Sequence, residues 1–427
     1  MQQETRVKSM PEWLVHLVEG PGDPRFLARA LPWSQAMIGC PHDAIYHAEG
    51  DPFIHTGMVA QELECGAGFD ALSEEKREIL RIGAWLHDIA KPATTQIIWD
   101  EALQRERVRQ PGHAPLGAAW AWQGLLDAGY DPLKARDVHG LVFWHQRPGH
   151  LAKSGLEGPI GIENTAVKRV IQFSHETVLL NWDDLLRLCA ADSRGRRFPG
   201  GIQPGIEDLE LARMFIEDQG GNAGVDLIHE RWPFANAAAR LTYLRSEGKT
   251  GNPFYTPKDP SGSRVILLSG LPGSGKNTLL SKSFSGLPSI SFDDLRAELR
   301  MSQGDNQGRM IQAAFEKARE YLRRGEDFVW NATCLSLRAR QKIAGLALDY
   351  DAKVEIHAID IPLETSIERN RGRGDHAIPE GALRQMAQKR EPAMPVEAHE
   401  VWSYDAELRP QQLFADSFAA PLPVLQL

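Results

Sequence analysis

The feature that most constrains the fold is a glycine-rich loop that directly follows a short apolar run. The run Val265–Leu268 has the length and composition of a buried strand, and helical periodicity begins near Asn277. A strand, a glycine loop and a helix in this order bring backbone N–H groups and a helix N-terminus to one point, where they bind phosphate. The sequence therefore predicts a parallel α/β sheet with a loop for ATP or another nucleoside triphosphate. The residues expected to hold the nucleotide are Gly270, Gly273, Ser274, Gly275, Lys276, Asn277 and Thr278.

One residue of this loop departs from the usual pattern. A Ser or Thr hydroxyl normally follows the lysine and contacts Mg²⁺, whereas Asn277 offers a carbonyl oxygen instead. Thr278 lies one position later on the helix, about 100° around the axis, and so cannot take the hydroxyl's place. Mg²⁺ is expected at this site, with Asn277 contacting it either directly or through water.

Polar residues follow the next two apolar runs. The run Ser289–Phe292 leads into Asp293-Asp294-Leu-Arg296, and Phe328–Trp330 leads into Asn331-Ala-Thr. Side chains at the carboxyl ends of parallel strands lie in the ligand crevice. We expect one aspartate to cap the following helix and the other to take the proton of an acceptor hydroxyl, as kinases require.

A basic segment follows the fourth apolar run, Val354–Ile359. It reads Ile367-Glu-Arg369-Asn-Arg371-Gly-Arg373-Gly374. An Arg run alone is usually a solvated helix end, but after the fourth strand of this fold it suits a lid over the transferring phosphoryl group. The net charge of −9 argues against coating of nucleic acid over the whole surface and leaves room for such a local positive groove.

Together these motifs resemble the polynucleotide 5′-kinase branch of the P-loop phosphotransferases, over residues 263–402. The resemblance implies that Asp293 is the general base on a 5′-hydroxyl and that Arg296 contacts a phosphate of the acceptor strand. It also implies that Lys276, Arg369 and Arg373 contact the donor phosphates.

A second group of chemically active residues lies in the first half of the chain. His87 and Asp88 are adjacent, and a helix would place Lys91 on the face of His87. Histidine and aspartate together bind divalent transition metals. Lys91 is then expected to hold a substrate phosphate.

The order His55, His87-Asp88, Asp192 resembles the HD phosphohydrolase superfamily, over about residues 40–195. The resemblance implies an all-α fold with those four residues as metal ligands. Members with two metals use two further histidines, which suggests His113 and His145, and the choice between one and two metals stays open. His139 lies six residues before His145, roughly 240° around a helix, and is interpreted as a surface or capping residue. Three histidines are interpreted as structural or exposed: His42, His150 and His175.

The organisation of the chain is multidomain. Helical periodicity over 1–205 contrasts with alternating strands and helices over 263–427, and 206–262 is expected to be a helical connector and linker. We expect no signal peptide, because the first ten residues are polar, and no membrane span, because apolar runs are far shorter than about 18 residues. Four scattered cysteines are expected to be free thiols in a reducing cytoplasm.

The fusion of these two domain types resembles the bacterial HD-Pnk end-healing enzymes. That resemblance implies phosphorylation of 5′-hydroxyl ends of RNA or DNA and removal of 2′,3′-cyclic, 2′- or 3′-phosphate from RNA ends. A separate ligase would join the products. The alternatives are a nucleotide-directed HD hydrolase fused to a metabolite kinase, or to a P-loop domain that only senses nucleotide. The sequence does not predict an oligomeric state.

Overall fold

The chain forms two compact units. A computed structural model describes residues 10–151, 165–199, 205–245, 251–258, 260, 262–300, 307–374 and 377–413. The units comprise Met1–Trp232 and Pro233–Leu427, so the expected connector is divided between them. The polar N-terminus up to residue 9 and parts of the expected linker (246–250, 259 and 261) lie outside the described residues. Every helix in the described ranges is too short or too polar to cross a membrane.

The first unit is helical, as predicted. Its helices are α1 (Glu12–Glu19), α2 (Pro24–Ala30), α3 (Ser34–Met37), α4 (Pro52–Glu64), α5 (Glu74–Leu86), α6 (Lys91–Thr94), α7 (His113–Asp127), α8 (Pro132–Trp144), α9 (Thr165–Glu176), α10 (Trp182–Gly195) and α11 (Ile206–Ala223). One element was not predicted, an antiparallel hairpin of β1 (Gln96–Asp100) and β2 (Arg105–Arg109). Its first strand is mostly exposed, so the buried face that produces a clear alternation of apolar and polar residues is missing.

Local sequence signals fix the starts of the helices that carry the site. The Asp51 carboxylate accepts a hydrogen bond from Ile54 N at 2.9 Å, and Pro52 occupies the first turn of α4. At α10, Asn181 and Asp184 form a reciprocal capping box. Helix α10 packs against α4, with the apolar faces of both helices in the core. These caps therefore set the register of the two helices whose inner faces meet.

The second unit is a mostly parallel sheet with helices, as predicted. Its elements are α12 (Ala237–Arg245), β3 (Arg264–Ser269), α13 (Lys276–Ser283), β4 (Ser289–Ser291), α14 (Phe292–Glu298), α15 (Gln307–Arg324), β5 (Phe328–Asn331), α16 (Leu337–Leu348), β6 (Lys353–Ile359), α17 (Leu363–Arg371), α18 (Glu380–Ala387), β7 (Glu400–Tyr404) and β8 (Pro410–Leu413). The strand order is β4-β5-β3-β6-β7-β8, and only β8 runs antiparallel to its neighbour. The glycine loop therefore follows the central strand β3, with β5 and β6 on either side of it.

A buried ion pair ties α16 to the segment before β7. Arg340 donates to both Glu397 carboxylate oxygens, at 2.7 and 2.9 Å, and both side chains are buried. Arg340 also donates to the carbonyl groups of Pro392 at 2.9 Å and Glu391 at 3.0 Å. A substitution of Glu397 would leave these carbonyl contacts in place but would remove both charged acceptors of the guanidinium group.

Glu397→Ala is expected to lower the free energy of unfolding of the second unit by about 3–5 kcal/mol, because Arg340 would remain buried without its counter-ion. Chemical denaturation followed by near-UV circular dichroism measures this loss. The matched control is Glu407→Ala, which breaks an exposed pair with Arg409 at 3.0 Å and is expected to cost less than about 1 kcal/mol. Equal losses of unfolding free energy in the two variants would contradict the stabilising role of the buried Arg340–Glu397 pair.

Candidate active sites

Four residues from three separate parts of the first unit meet in its interior. His55 lies on α4, Asp192 lies on α10, and His87 and Asp88 lie in the turn after α5. The distance from His55 Nε2 to Asp192 Oδ1 is 2.9 Å, and that from His87 Nε2 to Asp88 Oδ2 is 3.1 Å. His55, His87 and Asp192 each offer one ligand atom within 4.8 Å of the others. The structure therefore brings together the four residues that were predicted as metal ligands.

The Asp88 carboxylate lies between this group and a second one. Its Oδ1 atom is 3.3 Å from His113 Nε2 and 3.9 Å from His145 Nε2, and these three residues also form a group with ligand atoms within 4.8 Å. Its Oδ2 atom faces His87 and His55. One carboxylate thus contributes an oxygen to each of two adjacent groups. The six predicted ligands form two sets of three that meet at Asp88.

The histidines have the tautomer that a cation requires. His87, His113 and His145 each place Nδ1 within 2.7–2.8 Å of a backbone carbonyl, those of Ala84, Gln110 and Val142. A carbonyl oxygen only accepts, so Nδ1 carries a proton, and in the neutral ring the Nε2 lone pair points into the cluster. Within the described residues, Nε2 of His87 and of His113 has no hydrogen-bond partner. Buried nitrogen lone pairs without a donor are what a divalent cation would satisfy.

The charges of the cluster also favour a cation. Burial would raise the pKa of Asp88, but His87 and Lys91 hold it well below its usual value. Burial likewise opposes ionisation of Asp192, but the Arg196 guanidinium holds its pKa well below the ordinary range. Burial lowers the pKa of His145 to about 3, so its imidazole is neutral. Burial opposes protonation of His87, but the Asp88 carboxylate raises its pKa, so a cation bound at Nε2 would displace the proton of that ring. Carboxylates beside imidazoles form the donor set of a divalent metal site.

Lys91 lies at the edge of this cluster, but the backbone between His87 and Lys91 differs from the prediction. Helix α5 ends at Leu86, and the chain turns before α6 begins at Lys91, so the expectation of one helix through both residues was wrong. The buried ammonium group lies 2.7 Å from Asp88 Oδ2 and 3.1 Å from His42 Nε2. His42 is therefore a neighbour of the site, which corrects its interpretation as structural or exposed. His139 is buried and stacks on Phe143, so its interpretation as a surface or capping residue was also wrong.

Two further residues, Glu49 and Arg196, support the predicted ligands. Glu49 Oε1 lies 3.0 Å from His55 Nδ1 and 2.7 Å from His47 Nδ1, which orients the His55 ring. Arg196 lies 2.5 Å from Asp192 Oδ2. The spacing of Arg196, four residues after Asp192 on one helix, was a signal in the sequence for this contact.

In the second unit, the glycine loop has the local structure of a phosphate-binding site. Gly273 has φ of +83°, and a Cβ atom there would lie 2.4 Å from Ser366 O, so only glycine fits. Lys276 Nζ donates to the carbonyl groups of Gly270 at 2.8 Å and Leu271 at 2.9 Å, folding over the loop. The Ser274 hydroxyl is buried and has no hydrogen-bond partner in the part of the chain that the structure describes. This arrangement suits a polyphosphate bound by backbone N–H groups and the Lys276 ammonium.

Asn277 has a partner that the sequence did not reveal. Asn331 Nδ2, at the end of β5, donates to Asn277 Oδ1 at 2.8 Å. The two amides thus join the first turn of α13 to the neighbouring strand, next to the glycine loop. The Asn277 carbonyl oxygen is engaged within the protein, which favours contact with Mg²⁺ through water over direct contact. The exposed Thr278 lies one position further on α13.

The carboxylate predicted as the general base lies between two arginines. Asp293 Oδ1 is 2.7 Å from Arg296 Nη1, and Asp293 Oδ2 is 3.8 Å from Arg373 Nη2. Its side chain is 57% exposed, so an acceptor can reach it. The expectation that an aspartate caps the following helix was wrong, because Ser291 caps α14 by accepting from Asp294 N. The structure thus brings together Asp293, Arg296 and Arg373.

Arg369 lies beside the loop. Its Nη2 donates to Ala406 O at 2.9 Å, and its Nη1 lies 3.4 Å from Ser274 O. Asn370, next to it on α17, exchanges two side-chain hydrogen bonds with the backbone of Ile378, at 2.7 and 3.1 Å. These bonds hold the basic segment across the glycine loop, where the lid was expected.

Nucleotide binding is expected to be accompanied by proton uptake in alkaline solution. Burial lowers the pKa of Lys276 to about 7, whereas phosphate oxygens beside the amine would raise it. The group is therefore mostly neutral in the free protein above pH 7 and charged in the complex, so affinity falls as the pH rises. Titration calorimetry at about pH 8.5 in buffers of different ionisation enthalpy measures the uptake. Lys276→Arg, which stays charged, should abolish it; a wild-type heat independent of buffer would contradict this prediction.

Two family models match the chain at these sites. Residues 53–176 match the HD domain, and residues 265–393 match an AAA domain. The chain joins a helical HD domain to a P-loop kinase-like domain. The HD match spans His55, His87, Asp88, His113 and His145, and the AAA match spans the glycine loop, Asp293 and the basic segment.

Curated relatives match part of the chain. A multifunctional CCA protein of Laribacter hongkongensis is 30% identical over 203 residues, covering 46% of this chain and 43% of that protein. Another, from Halorhodospira halophila, is 32% identical over 171 residues, covering 40% and 35%. The chain therefore spans about two fifths of the length of the curated relatives it matches.

Solved structures resemble a smaller part of this chain. A gluconokinase from Sinorhizobium meliloti 1021 is 20% identical, covering 35% of this chain and 85% of that chain, with a TM-score of 0.26. A chain of the Pnkp1/Rnl/Hen1 RNA repair complex is also 20% identical, covering 33% and 46%, with a TM-score of 0.28. Structural similarity at this level identifies neither the acceptor substrate nor the reaction of this protein.

Proposed function

We propose that the protein heals broken nucleic-acid ends, adding phosphate to 5′-hydroxyl groups in the kinase-like domain and removing phosphate from 3′ ends in the HD domain. The observation that carries the proposal is the position of Asp293. It is an exposed carboxylate held by Arg296 and Arg373 at the carboxyl end of β4, in the same unit as the nucleotide loop. A nucleotide sensor has no need of a base for an acceptor or of a cation for an acceptor phosphate.

The kinase step follows from these residues. Asp293 takes the proton of the 5′-hydroxyl as its oxygen bonds to the terminal phosphorus of the donor, and the bond from that phosphorus to the leaving diphosphate oxygen breaks. Lys276, Arg369 and Arg373 offset the charge on the donor phosphates. Arg296 binds the phosphate next to the acceptor hydroxyl. Mg²⁺ beside Asn277 would neutralise charge on the donor.

In the HD domain, His55, His87 and Asp192 would hold one divalent cation, and Asp88, His113 and His145 would hold a second. Bound divalent metals supply an activated water nucleophile at neutral pH. Lys91 binds the substrate phosphate and offsets its negative charge as the P–O bond to the ribose oxygen breaks. Glu49 holds the His55 ring in place throughout the reaction. Ionised Asp192 is kept in position by Arg196.

The test uses one RNA with a 5′-hydroxyl and a 2′,3′-cyclic phosphate, incubated with labelled ATP, Mg²⁺ and a panel of transition metals. Mass spectrometry of the product should show one phosphate gained at the 5′ end and the 3′-terminal phosphate removed. The product should be a substrate for a purified RNA ligase. A product unchanged at both ends under every metal would overturn the proposal.

Parallel reactions separate the proposal from other phosphotransfer functions. Hexonates and nucleosides as acceptors test for a metabolite kinase, and nucleoside triphosphates as HD substrates test for a nucleotide hydrolase. Efficient use of a small acceptor together with an untouched RNA 5′ end would replace the proposed kinase activity. ATP binding without transfer to any acceptor would assign the P-loop domain to sensing.

A further inference from the structure

Resting on the function proposed for the HD site, we propose that the loop 40–47 and the inner face of the β1–β2 hairpin form a rim that binds the 3′-terminal nucleotides of a single RNA strand. His42 contacts the terminal phosphate, and Tyr46 with Arg107 binds the nucleotides that follow. The three features that support this rim are a buried donor beside Lys91, an arginine-lined hairpin face and an exposed aromatic ring between them.

The first feature is the unsatisfied nitrogen of His42. Its Nε2 lies 3.1 Å from the Lys91 ammonium, which only donates, so Nε2 accepts and Nδ1 carries the proton. That Nδ1 is buried and has no hydrogen-bond partner among the described residues. A buried N–H left unpaired is destabilising, and a phosphate oxygen held by Lys91 would satisfy it. His42 therefore lies where a second donor to the substrate phosphate is needed.

The second feature is the hairpin face that adjoins this loop. The register pairs Gln96 with Arg109, Ile98 with Arg107 and Asp100 with Arg105, so the three arginines share one face. Asp43, next to His42 in the chain, lies 3.0 Å from Arg105 Nη2 and 3.8 Å from Arg107 Nε, which turns this face toward the loop. The rim has three guanidinium groups, of Arg105, Arg107 and Arg109, and two carboxylates, Asp43 and Asp100. The rim therefore carries net positive charge on a chain whose net charge is −9.

The third feature is Tyr46, whose side chain extends from the same loop. The residue is 41% exposed, and the Arg107 guanidinium carbon lies 5.9 Å from the centre of its ring. Single-stranded nucleic acids are bound by such pairs, in which a base stacks on the aromatic ring and arginine contacts base or phosphate. The contacts run from Asp88 to Lys91 and His42, and from the neighbouring Asp43 to Arg105 and Arg107, which lies beside Tyr46. That order leads from the reacting phosphate to the strand behind it.

The hairpin also provides a matched control. Trp99 is 55% exposed and pairs with Glu106, on the face opposite the arginines. It is an exposed aromatic residue in the same element, but it does not share the face that meets the loop. A strand that enters along the arginine face would not touch it.

The experiment compares the full-length protein with its Tyr46→Ala, Arg107→Ala and Trp99→Ala variants in two assays. The first is hydrolysis of a 3′-phosphorylated hexaribonucleotide and of glycerol 2-phosphate, a phosphomonoester without base or strand. The second is fluorescence anisotropy with the same hexamer carrying its dye on a blocked 5′ end, so that the kinase acceptor site is not occupied. We expect Tyr46→Ala and Arg107→Ala each to lower kcat/KM and affinity for the hexamer about tenfold, the loss of roughly one stacked base or one charged contact. Glycerol 2-phosphate hydrolysis should stay within about twofold of wild type, and Trp99→Ala should match wild type with both substrates.

His42 is tested in the same assays. His42→Ala should slow both substrates, because the phosphate is common to them, and His42→Asn, which keeps a donor near the position of Nδ1, should recover part of the loss. Hexamer hydrolysis and binding that Tyr46→Ala and Arg107→Ala leave unchanged would overturn the proposal, as would an equal loss on both substrates. If the wild type hydrolyses neither substrate yet the two variants weaken hexamer binding, the proposed phosphatase activity fails and the strand-binding rim stands.

Discussion

Asp88→Asn should eliminate removal of the 3′-terminal phosphate, lowering its rate by at least about a thousandfold, the scale seen when one member of a catalytic unit is removed. The reason is that Asp88 serves both halves of the cluster, Oδ2 facing His87 and Oδ1 facing His113. An amide retains the shape but loses the negative charge, and its NH₂ group would face a ring nitrogen or Lys91. Asp88 belongs to the group with His113 and His145, and its Oδ2 atom also faces His87 of the other group.

Two readouts distinguish this effect from misfolding. Metal content measured by plasma mass spectrometry should fall in Asp88→Asn, while 5′ phosphorylation should stay at the wild-type rate. Asp70→Asn, an exposed carboxylate of the same unit, serves as the matched control and should leave metal content and both activities unchanged. An Asp88→Asn protein with full metal content and full 3′ activity would refute the assignment of this cluster.

Lys276→Ala should abolish 5′ phosphorylation, with a loss on the order of a thousandfold in kcat, the range for removal of a cation from a transferring phosphoryl group. Lys276 is the residue folded over the loop, with its ammonium group at the Gly270 and Leu271 carbonyls. Alanine leaves the loop backbone able to bind nucleotide and removes the charge that meets its terminal phosphates. The 3′ activity should be unaffected, because the HD ligands all lie in the first unit.

The matched control is Lys282→Ala, which removes an exposed lysine from the last turn of the same helix, α13. Phosphorylation of a 5′-hydroxyl RNA with labelled ATP measures the effect, and nucleotide binding by calorimetry shows whether the loop is intact. Equal losses in the two lysine variants would indicate that general destabilisation of α13, not the loss of Lys276, explains the result.

The two sites differ in how much of them the sequence predicts, and the reason is their spread along the chain. The nucleotide loop is local: a strand that ends at Ser269, the six residues 270–275 and a helix that begins at Lys276 contain its geometry. The HD ligands are dispersed, and His55 and Asp192 lie 137 positions apart in the chain, so no local pattern could place them together. There the resemblance to a known superfamily, not the spacing, supplied the six residues that the structure brings together.

The structural features that the sequence mispredicted or did not reveal have physical explanations. The helix through His87 was expected to continue because the apolar spacing runs on to Ile89 and Ala90, yet the backbone turns there and lets Asp88 face both halves of the cluster. The role of Ser291 as a helix cap and the contact between Asn277 and Asn331 depend on tertiary packing of strand ends, which no local pattern encodes. His42 was passed over because a lone histidine in a loop is usually solvent-exposed.

We propose that one chain performs two opposite phosphate reactions at independent sites. The most direct measurement uses RNA with a 5′-hydroxyl and a 2′,3′-cyclic phosphate, treated with Asp88→Asn, Lys276→Ala or an equal mixture of the two, and read by mass spectrometry at both ends. We predict that each variant converts only the end served by its intact site and that the mixture converts both. A variant that fails at both ends, or a mixture that leaves either end unconverted, would contradict the claim.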